Sequence, residues 1–145
     1  MGHENKCAHL HGHNYVVFIT AEQLISSATE GTSESNSIGR TDTIGRVVDF
    51  SVLKKVYNTW IEARWDHGFL LHHADTAGRE ALGVFEEKSK VNQKRYLMAC
   101  NPTAENMAGF LLLHDEFVQA LASYHVRAVK VTVHETENCQ ATATL

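Results

Sequence analysis

The chain has 145 residues, a length that suits one domain with a hydrophobic core. Hydrophobic residues make up 43% and charged residues 21%, which is the balance of an ordinary globular protein. The formal net charge of −4 argues against nucleic acid as the main partner, because phosphate binding needs a basic surface. No apolar run approaches the roughly 20 residues of a membrane span. Three widely spaced cysteines do not form a disulfide framework, which favours a cytoplasmic location.

The first third of the chain predicts two strands joined by a long loop. Residues 15–23 alternate in polarity and predict a strand. Residues 26–45 are rich in Ser, Thr and Gly and predict a loop. Residues 46–50 predict a short second strand, which we expect to pair with the first in antiparallel orientation.

The middle of the chain predicts one clear helix and two weaker elements. An apolar stripe at helical spacing predicts a helix from Ser51 to about Trp65, with Asp49 or Ser51 as its N-cap. Residues 74–93 are polar and irregular, with a short helix over 80–88. Residues 96–99 predict a short buried strand.

The last third predicts a long helix and a final strand. Residues 101–106 combine cap candidates, a proline and an acid, which is typical of a helix start. This helix is predicted to run to about Tyr124, and residues 126–135 alternate as a strand. The whole pattern predicts an α+β fold in which helices cover one face of an antiparallel sheet.

A thiol and two imidazoles lie close together near the start of the chain. His11 and His13 would share one face of an extended segment, and two imidazoles at that spacing can hold one divalent metal. Cys7 has the same parity and could lie beside the metal without binding it. A thiol near a metal loses its proton more easily, so the segment is a candidate proton-transfer site.

Three acidic positions have both a functional and a structural interpretation. Asp66 could orient His67 for acid–base chemistry, although a polar helix end explains the pair equally simply. Glu135 ends an apolar strand face, where it is either solvated at the sheet edge or buried against a planar ligand that offers N–H groups. Glu105 lies in a first helical turn, where an acid commonly favours the helix dipole.

Five motifs in order resemble the 6-pyruvoyl-tetrahydropterin synthase family, over essentially the whole chain. The short spacing between Cys7 and His11 is similar to that of the bacterial branch, 6-carboxy-tetrahydropterin synthase of queuosine biosynthesis. The segments that carry the resemblance are Cys7–Tyr15 (Cys-Ala-His-Leu-His-Gly-His-Asn-Tyr), Val47–Phe50 (Val-Val-Asp-Phe), Asp66-His67, Asn101–Asn106 (Asn-Pro-Thr-Ala-Glu-Asn) and Glu135-Thr136.

The resemblance implies a fold and an assembly. Residues 1–145 would form a single T-fold (tunnelling fold) domain, an antiparallel sheet with two helices on one face. Subunits would close into barrels, usually a hexamer of two trimers, with active sites between subunits.

The resemblance also implies a role for each candidate residue. Zinc would be bound by His11, His13 and a third histidine. Cys7 would abstract a proton, with Asp66 and His67 as a second proton-transfer pair. A pterin substrate would be anchored by Glu135, with two further residues near its pocket, Thr103 and Glu105.

The activity implied is that of a zinc-dependent lyase. It would convert 7,8-dihydroneopterin triphosphate to 6-carboxy-5,6,7,8-tetrahydropterin, acetaldehyde and triphosphate. Two alternatives stay open: a 6-pyruvoyl-tetrahydropterin synthase, which eliminates triphosphate without losing acetaldehyde, and a non-catalytic pterin-binding paralogue with an incomplete zinc site.

One departure from the family pattern concerns the start of the chain. The family has a strand before the cysteine segment that carries the first zinc histidine, whereas this sequence begins a few residues before Cys7. We therefore expect that first strand to be missing and the domain to be N-terminally short. A truncated or misassigned start, replacement of the ligand by His3 or His9, and a weakened metal site are the three explanations.

Overall fold

The computed structural model describes residues 11–24 and 44–145. Cys7, His3, His9 and nearly all of the predicted loop at 26–45 lie outside these residues. The role of Cys7, the third metal ligand and the missing first strand therefore remain predictions.

The described residues form five strands and four helices. In chain order they are β1 (Val16–Gln23), α1 (Phe50–Arg64), β2 (Phe69–His72), α2 (Thr76–Ser89), β3 (Arg95–Met98), α3 (Ala104–Leu113), α4 (Asp115–Ala122), β4 (Val126–Thr136) and β5 (Cys139–Thr144).

The main sheet is antiparallel and has the order β1-β4-β5, with β4 in the centre. Val17 pairs with Val133 and Ile19 pairs with Val131 across β1 and β4. Ala141 pairs with Val133 across β4 and β5. Since side chains alternate between the two faces of a strand, these residues line one face of the sheet together.

The helices cover that inner face and leave the outer face open. α3 packs against β4 and β5, and α4 packs against β4. Val131 and Val133 are fully buried beneath them, whereas Val16 and Phe18 on the outer face of β1 are about half exposed. The predicted α+β class, with helices on one face of an antiparallel sheet, is confirmed. None of the four described helices has both the length and the apolar character needed to span a bilayer.

A cluster of aromatic rings joins the helices to each other. The Trp60 ring on α1 lies 5.2–5.4 Å from the rings of Tyr96, Phe110 and Phe117. Tyr57 stacks on Phe117 with ring centroids 4.5 Å apart. Such pairs contribute roughly 0.5–1.5 kcal/mol each beyond the burial of their area, so this cluster fixes α1 against α3, α4 and β3.

The predicted strand at 46–50 is wrong. Residues 44–49 form a turn and bends, and α1 begins at Phe50. The Asp49 carboxylate accepts a hydrogen bond of 2.8 Å from the Ser51 N–H, which makes Asp49 the N-cap. The expected pairing of this segment with the first strand is wrong for the same reason, because β1 pairs with β4 instead.

The region 69–98 is more regular than its sequence predicts. A strand that the sequence analysis missed, β2, pairs in parallel with β3. The helix between them spans Thr76–Ser89 and is longer than the predicted 80–88. Its start is fixed by the Asp75 carboxylate, which accepts a hydrogen bond of 2.9 Å from the Gly78 N–H.

The single helix predicted to reach Tyr124 is broken into α3 and α4 at His114. The His114 backbone is extended, with φ −66° and ψ 129°. Its Nδ1 accepts a hydrogen bond of 3.3 Å from the Glu116 N–H and so caps α4. The described residues therefore form four helices, whereas the sequence predicts two main helices and a short one at 80–88.

The C-terminal strand β5 was also missed. Its sequence alternates, but the inward positions are the small side chains Ala141 and Ala143, which give a weak hydrophobic signal. On the outer face the Thr132 and Thr142 hydroxyls lie 2.9 Å apart and share a hydrogen bond.

Burial of Tyr57 makes a testable contribution to alkaline stability. Its hydroxyl donates to the Leu111 carbonyl at 3.3 Å, and burial raises its pKa from 10.0 to about 12. Because the folded-state pKa is raised, the stabilisation is complete below pH 10 and is lost as the pH rises toward 12. We expect Tyr57→Phe to lose less stability over this interval than the parent chain, by up to about 3 kcal/mol, in urea unfolding monitored by circular dichroism. Identical pH profiles for the two proteins would contradict this assignment.

Candidate active site

The two imidazoles of the N-terminal segment lie together at one end of the sheet. His11 and His13 precede β1 in an extended segment, and their ring centroids are 4.8 Å apart in an edge-to-face arrangement. The His13 ring also contacts Tyr15, which packs against the core. The segment thus continues the inner face of β1 beyond the point where its pairing with β4 begins.

Glu135 joins these two histidines from the far end of the chain. The register pairs Val16 with His134, so the residue after His134 lies beside the segment that enters β1. The Glu135 Oε1 is 2.9 Å from the His13 Nε2. Burial, and secondly the negative charge of the nearby Glu135, raise the pKa of Tyr15.

The group formed by His11, His13 and Glu135 has the donor set of a metal site. Their candidate ligand atoms all lie within 4.8 Å of one another. Ligand atoms on one zinc ion are about 3.3 Å apart at bond lengths of about 2.1 Å, so side-chain rotation can close the group. The His13 Nε2 is buried and has no aligned hydrogen-bond partner. A nitrogen in this state is available as a metal ligand. Within residues 11–24 and 44–145 no other group of three such donors occurs.

Asp66 and His67 form a pair in the turn after α1. His67 has a left-handed backbone, with φ 53°, and this brings its Nδ1 within 2.8 Å of the Asp66 carboxylate. The side chains are 91% exposed for His67 and 52% exposed for Asp66. A carboxylate that accepts the Nδ1–H leaves Nε2 as the nitrogen that can exchange a proton.

Two residues that the sequence analysis did not consider hold this turn in place. The Lys94 ammonium donates to the carbonyl oxygens of Glu62 and Asp66, at 2.6 and 2.7 Å. The Gln93 amide donates to the His67 carbonyl at 3.3 Å. A cation at a helix C-terminus satisfies carbonyls that have no helical partner, but only the folded chain shows that Lys94 reaches them.

Thr103 and Glu105 lie at the start of α3. The Thr103 hydroxyl accepts a hydrogen bond of 3.3 Å from the Asn106 N–H and caps the helix. The Asn106 amide donates to the Asn101 carbonyl at 2.8 Å, which holds the preceding loop. Hydrogen bonds from its own backbone N–H and, to a smaller extent, from the Thr103 hydroxyl lower the pKa of Glu105, so its carboxylate is ionised.

A cavity of about 410 Å³ opens beside Glu105. Its wall includes Cys100, Phe110 and His114. This volume lies in the range of small-molecule sites. The cavity wall does not include His13, Glu135 or the Asp66–His67 pair among the described residues.

The predicted site residues that the structure describes therefore form three separate groups within one chain. The structure brings His11 and His13 to Glu135, and it pairs Asp66 with His67. Thr103 and Glu105 form a third place at the start of α3.

The family model described as 6-pyruvoyl tetrahydropterin synthase matches residues 1–144. The chain belongs to this family. The predicted resemblance is confirmed, and with it the α+β T-fold.

Several curated relatives share about a third of their residues with this member of the family. A 6-carboxy-5,6,7,8-tetrahydropterin synthase from Rickettsia typhi is 33% identical over 96% of this chain and 86% of its own length. The protein of that name from Rickettsia bellii is 32% identical over the same shares of both chains. The one from Aquifex aeolicus is 30% identical over 94% of this chain and 75% of its own length.

A solved structure supports the fold. An uncharacterized protein from Wolinella succinogenes superimposes with a TM-score of 0.68 over 95% of this chain and 80% of its own, at 20% identity. At that identity the likeness concerns the fold alone.

Lys94 offers a direct test of how the Asp66–His67 turn is held. We expect Lys94→Met to lower the free energy of unfolding by about 1–2 kcal/mol, because two helix-terminal carbonyls lose their donor. The amide of Gly68, which donates to the Trp65 carbonyl at 3.0 Å, should exchange with solvent faster. Lys54→Met, on the exposed side of α1, is the matched control and should leave both quantities unchanged. Equal behaviour of the two variants would remove Lys94 from this role.

Proposed function

We propose that this protein is a 6-carboxy-5,6,7,8-tetrahydropterin synthase that contributes to queuosine biosynthesis. With one molecule of water as co-reactant, it converts 7,8-dihydroneopterin triphosphate to 6-carboxy-5,6,7,8-tetrahydropterin, acetaldehyde and triphosphate. The proposed enzyme is a zinc-dependent lyase made of one T-fold domain over residues 1–145. Its proposed location is the cytoplasm, since its three cysteines do not suggest a disulfide framework.

The observation that carries this proposal is the meeting of His11, His13 and Glu135 at one end of the sheet. The family match alone supports a pterin enzyme of this kind, and the relatives from Rickettsia and Aquifex bear the name of the carboxy-type synthase. A metal-capable group at the position of the family motifs favours an active enzyme over a binding paralogue.

Zinc bound at this group would act as a Lewis acid toward the hydroxyl groups of the substrate side chain and make adjacent C–H protons easier to remove. Two groups of this chain would carry out the proton transfers, Cys7 and the pair formed by Asp66 and His67. Cys7 takes the role of base. His67 accepts and releases a second proton at Nε2, because Asp66 accepts the Nδ1–H at 2.8 Å and fixes the ring orientation.

The substrate ring is proposed to bind near the start of α3. Thr103 and Glu105 offer a hydroxyl and an ionised carboxylate there. The adjoining cavity of about 410 Å³ has Phe110 in its wall, which suits a flat heteroaromatic ring. Glu135 is the proposed anchor for the guanidine-like edge of the pterin, since a carboxylate can accept two parallel N–H bonds.

The separation of the site residues supports an assembly of subunits. His67 is 91% exposed in the single chain, which leaves a proton-transfer group open to solvent. The outer face of the sheet exposes Phe18, and the start of α1 exposes Phe50, which is 78% accessible. We propose a homohexamer of two trimers in which a neighbouring subunit covers such surfaces and completes each site.

Product analysis tests the proposed activity. The purified full chain, loaded with zinc, is incubated with 7,8-dihydroneopterin triphosphate, and the products are identified by mass spectrometry. We expect 6-carboxy-5,6,7,8-tetrahydropterin and acetaldehyde. A 6-pyruvoyl product without acetaldehyde would assign the sister reaction. Pterin binding without turnover would assign a non-catalytic protein.

Asp66→Asn tests the second proton-transfer pair. The amide cannot stabilise a protonated His67 as the carboxylate does, so we expect turnover to fall by about 10² or more. Thermal stability should change little, because both side chains are largely exposed. Glu62→Gln, an exposed carboxylate on α1, is the control and should retain full turnover. Full turnover in Asp66→Asn would exclude this pair from the chemistry.

A further inference from the structure

We propose that Gly109 keeps a ring-binding cavity open beside α3 and that His114 donates a hydrogen bond into it. This inference rests on the proposed function in taking a pterin as the occupant of the cavity beside Glu105. It adds to the site two residues to which the family resemblance gives no role.

The first argument is that packing of the described residues does not require a glycine at position 109. Gly109 lies in the interior of α3, where glycine is the least favourable residue apart from proline. Among the residues that the structure describes, a Cβ atom added there would meet no heavy atom within 4 Å outside its own helix backbone. At Gly78, by contrast, a Cβ atom would lie 2.7 Å from the Asp75 carboxylate, so packing explains that glycine. Gly109 therefore weakens α3 without gaining a contact in return.

The second argument is that the open space beside Gly109 belongs to the cavity of about 410 Å³. Gly109 lies in the cavity wall, one helical turn after Glu105 and one turn before Leu113. A side chain at position 109 would therefore enter the cavity and reduce its volume. Gly83 in α2 also has nothing within 4 Å of an added Cβ atom, but it does not line this cavity. The position in the cavity wall is what distinguishes Gly109.

The third argument is the fixed orientation of the His114 imidazole, which also lines the cavity. Its Nδ1 accepts a hydrogen bond of 3.3 Å from the Glu116 N–H, so the neutral ring carries its proton on Nε2. The ring centroid lies 4.4 Å from that of Phe110 and 5.6 Å from that of Trp60. These contacts hold the ring, and its Nε2–H becomes a hydrogen-bond donor of defined position at the cavity.

The fourth argument is the order of chemical groups along the cavity. Glu105, at the start of α3, can accept a ring N–H, and His114, just after its end, can donate to a carbonyl oxygen. Between them the wall includes the Phe110 ring and Leu113, which is 61% exposed in the single chain. A flat ring that carries both N–H groups and a carbonyl oxygen fits this order, and a pterin is such a ring. Its guanidine-like edge stays available for Glu135.

Leucine substitutions at two glycines test the role of the open space. Binding of 7,8-dihydroneopterin, which has no triphosphate to eliminate, is measured by anaerobic isothermal titration calorimetry on the zinc-loaded full chain. We expect Gly109→Leu to bind this pterin more weakly than the parent by about tenfold or more, because the added side chain occupies the cavity. Gly83→Leu is the matched control and should stay within about twofold of the parent.

Alanine substitutions separate ligand binding from helix stability. Gly109→Ala and Gly83→Ala should each raise the melting temperature by about 2–4 °C, because alanine is the better helix former. Only Gly109→Ala should also weaken pterin binding beyond the range of the control. This smaller variant keeps the test decisive if Gly109→Leu does not fold, and a merely structural glycine would change the melting temperature alone.

His114→Asn tests the hydrogen-bond donor. Asparagine is a good N-cap, so its side-chain oxygen can still accept the Glu116 N–H, but its side chain is too short to replace Nε2–H. We expect pterin binding to weaken by about 2- to 10-fold, which corresponds to one hydrogen bond. His125→Asn is the control, because His125 is exposed and has a left-handed backbone, with φ 58°, that asparagine tolerates. It should bind the pterin as the parent does.

Three results would overturn this inference. Parent-like pterin affinity in folded Gly109→Leu, or an equal loss in Gly83→Leu, would remove Gly109 from the site. A changed oligomeric mass of Gly109→Ala or Gly109→Leu in light scattering would assign the glycine to a subunit contact instead. Parent-like affinity in folded His114→Asn would remove the donor.

The same measurements separate this inference from the proposed activity. Turnover of 7,8-dihydroneopterin triphosphate by the parent chain, with unchanged pterin affinity in Gly109→Leu, would support the activity and refute the cavity assignment. Weakened pterin affinity in Gly109→Leu, with no turnover by the parent chain, would support the cavity and refute the activity. Absence of pterin binding by the parent chain would refute both.

Discussion

The antiparallel register between β1 and β4 is the constraint on which the site depends. By pairing Val16 with His134, it brings the N-terminal imidazoles beside the carboxylate of Glu135, which lies near the other end of the sequence. The same register aligns Val17 with Val133 and so fixes the hydrophobic face of the sheet. A slip of one residue would send every side chain of β1 to the opposite face, which would expose the core and separate His13 from Glu135.

The contact between Asp66 and His67 depends on a different part of the structure. Trp60 and its aromatic neighbours hold α1 against the other helices, and this fixes where α1 ends. Lys94 then binds the last carbonyls of that helix and sets the turn in which Asp66 meets His67. Packing in the core thus fixes the position of two exposed side chains.

Much of the fold could be predicted from periodicity, and the errors have physical causes. The first strand, the helix capped by Asp49 and the last long strand have strong patterns. The segment at 46–50 is apolar enough for a strand, but a cap at Asp49 directs the chain into a helix. The break at His114 depends on a single backbone conformation and one side-chain cap, and β5 presents only alanines to the core. Asp49 was a predicted cap candidate, whereas the break at His114 and the strand β5 have no strong local signal.

The residues of the candidate site could be predicted from the sequence. Which of them lie close together in the folded chain was harder to predict. The spacing of His11 and His13 indicates a metal pair, and the adjacency of Asp66 and His67 permits a contact. The approach of Glu135 to the histidines needs the sheet register and a bulge, which sequence spacing does not reveal. The support from Lys94 comes from a loop distant in sequence, so only the folded chain shows it.

The long separation between the two paired strands also sets an order of events during biosynthesis. The ribosome releases β1 before the four described helices and β4 after them, so the β4 strand that pairs with β1 among the described residues emerges much later than β1. Pairings between such distant segments form slowly, because a large loop must close before any contact is gained. His11 and His13 of a nascent chain therefore lack Glu135 beside them until β4 has emerged and paired with β1.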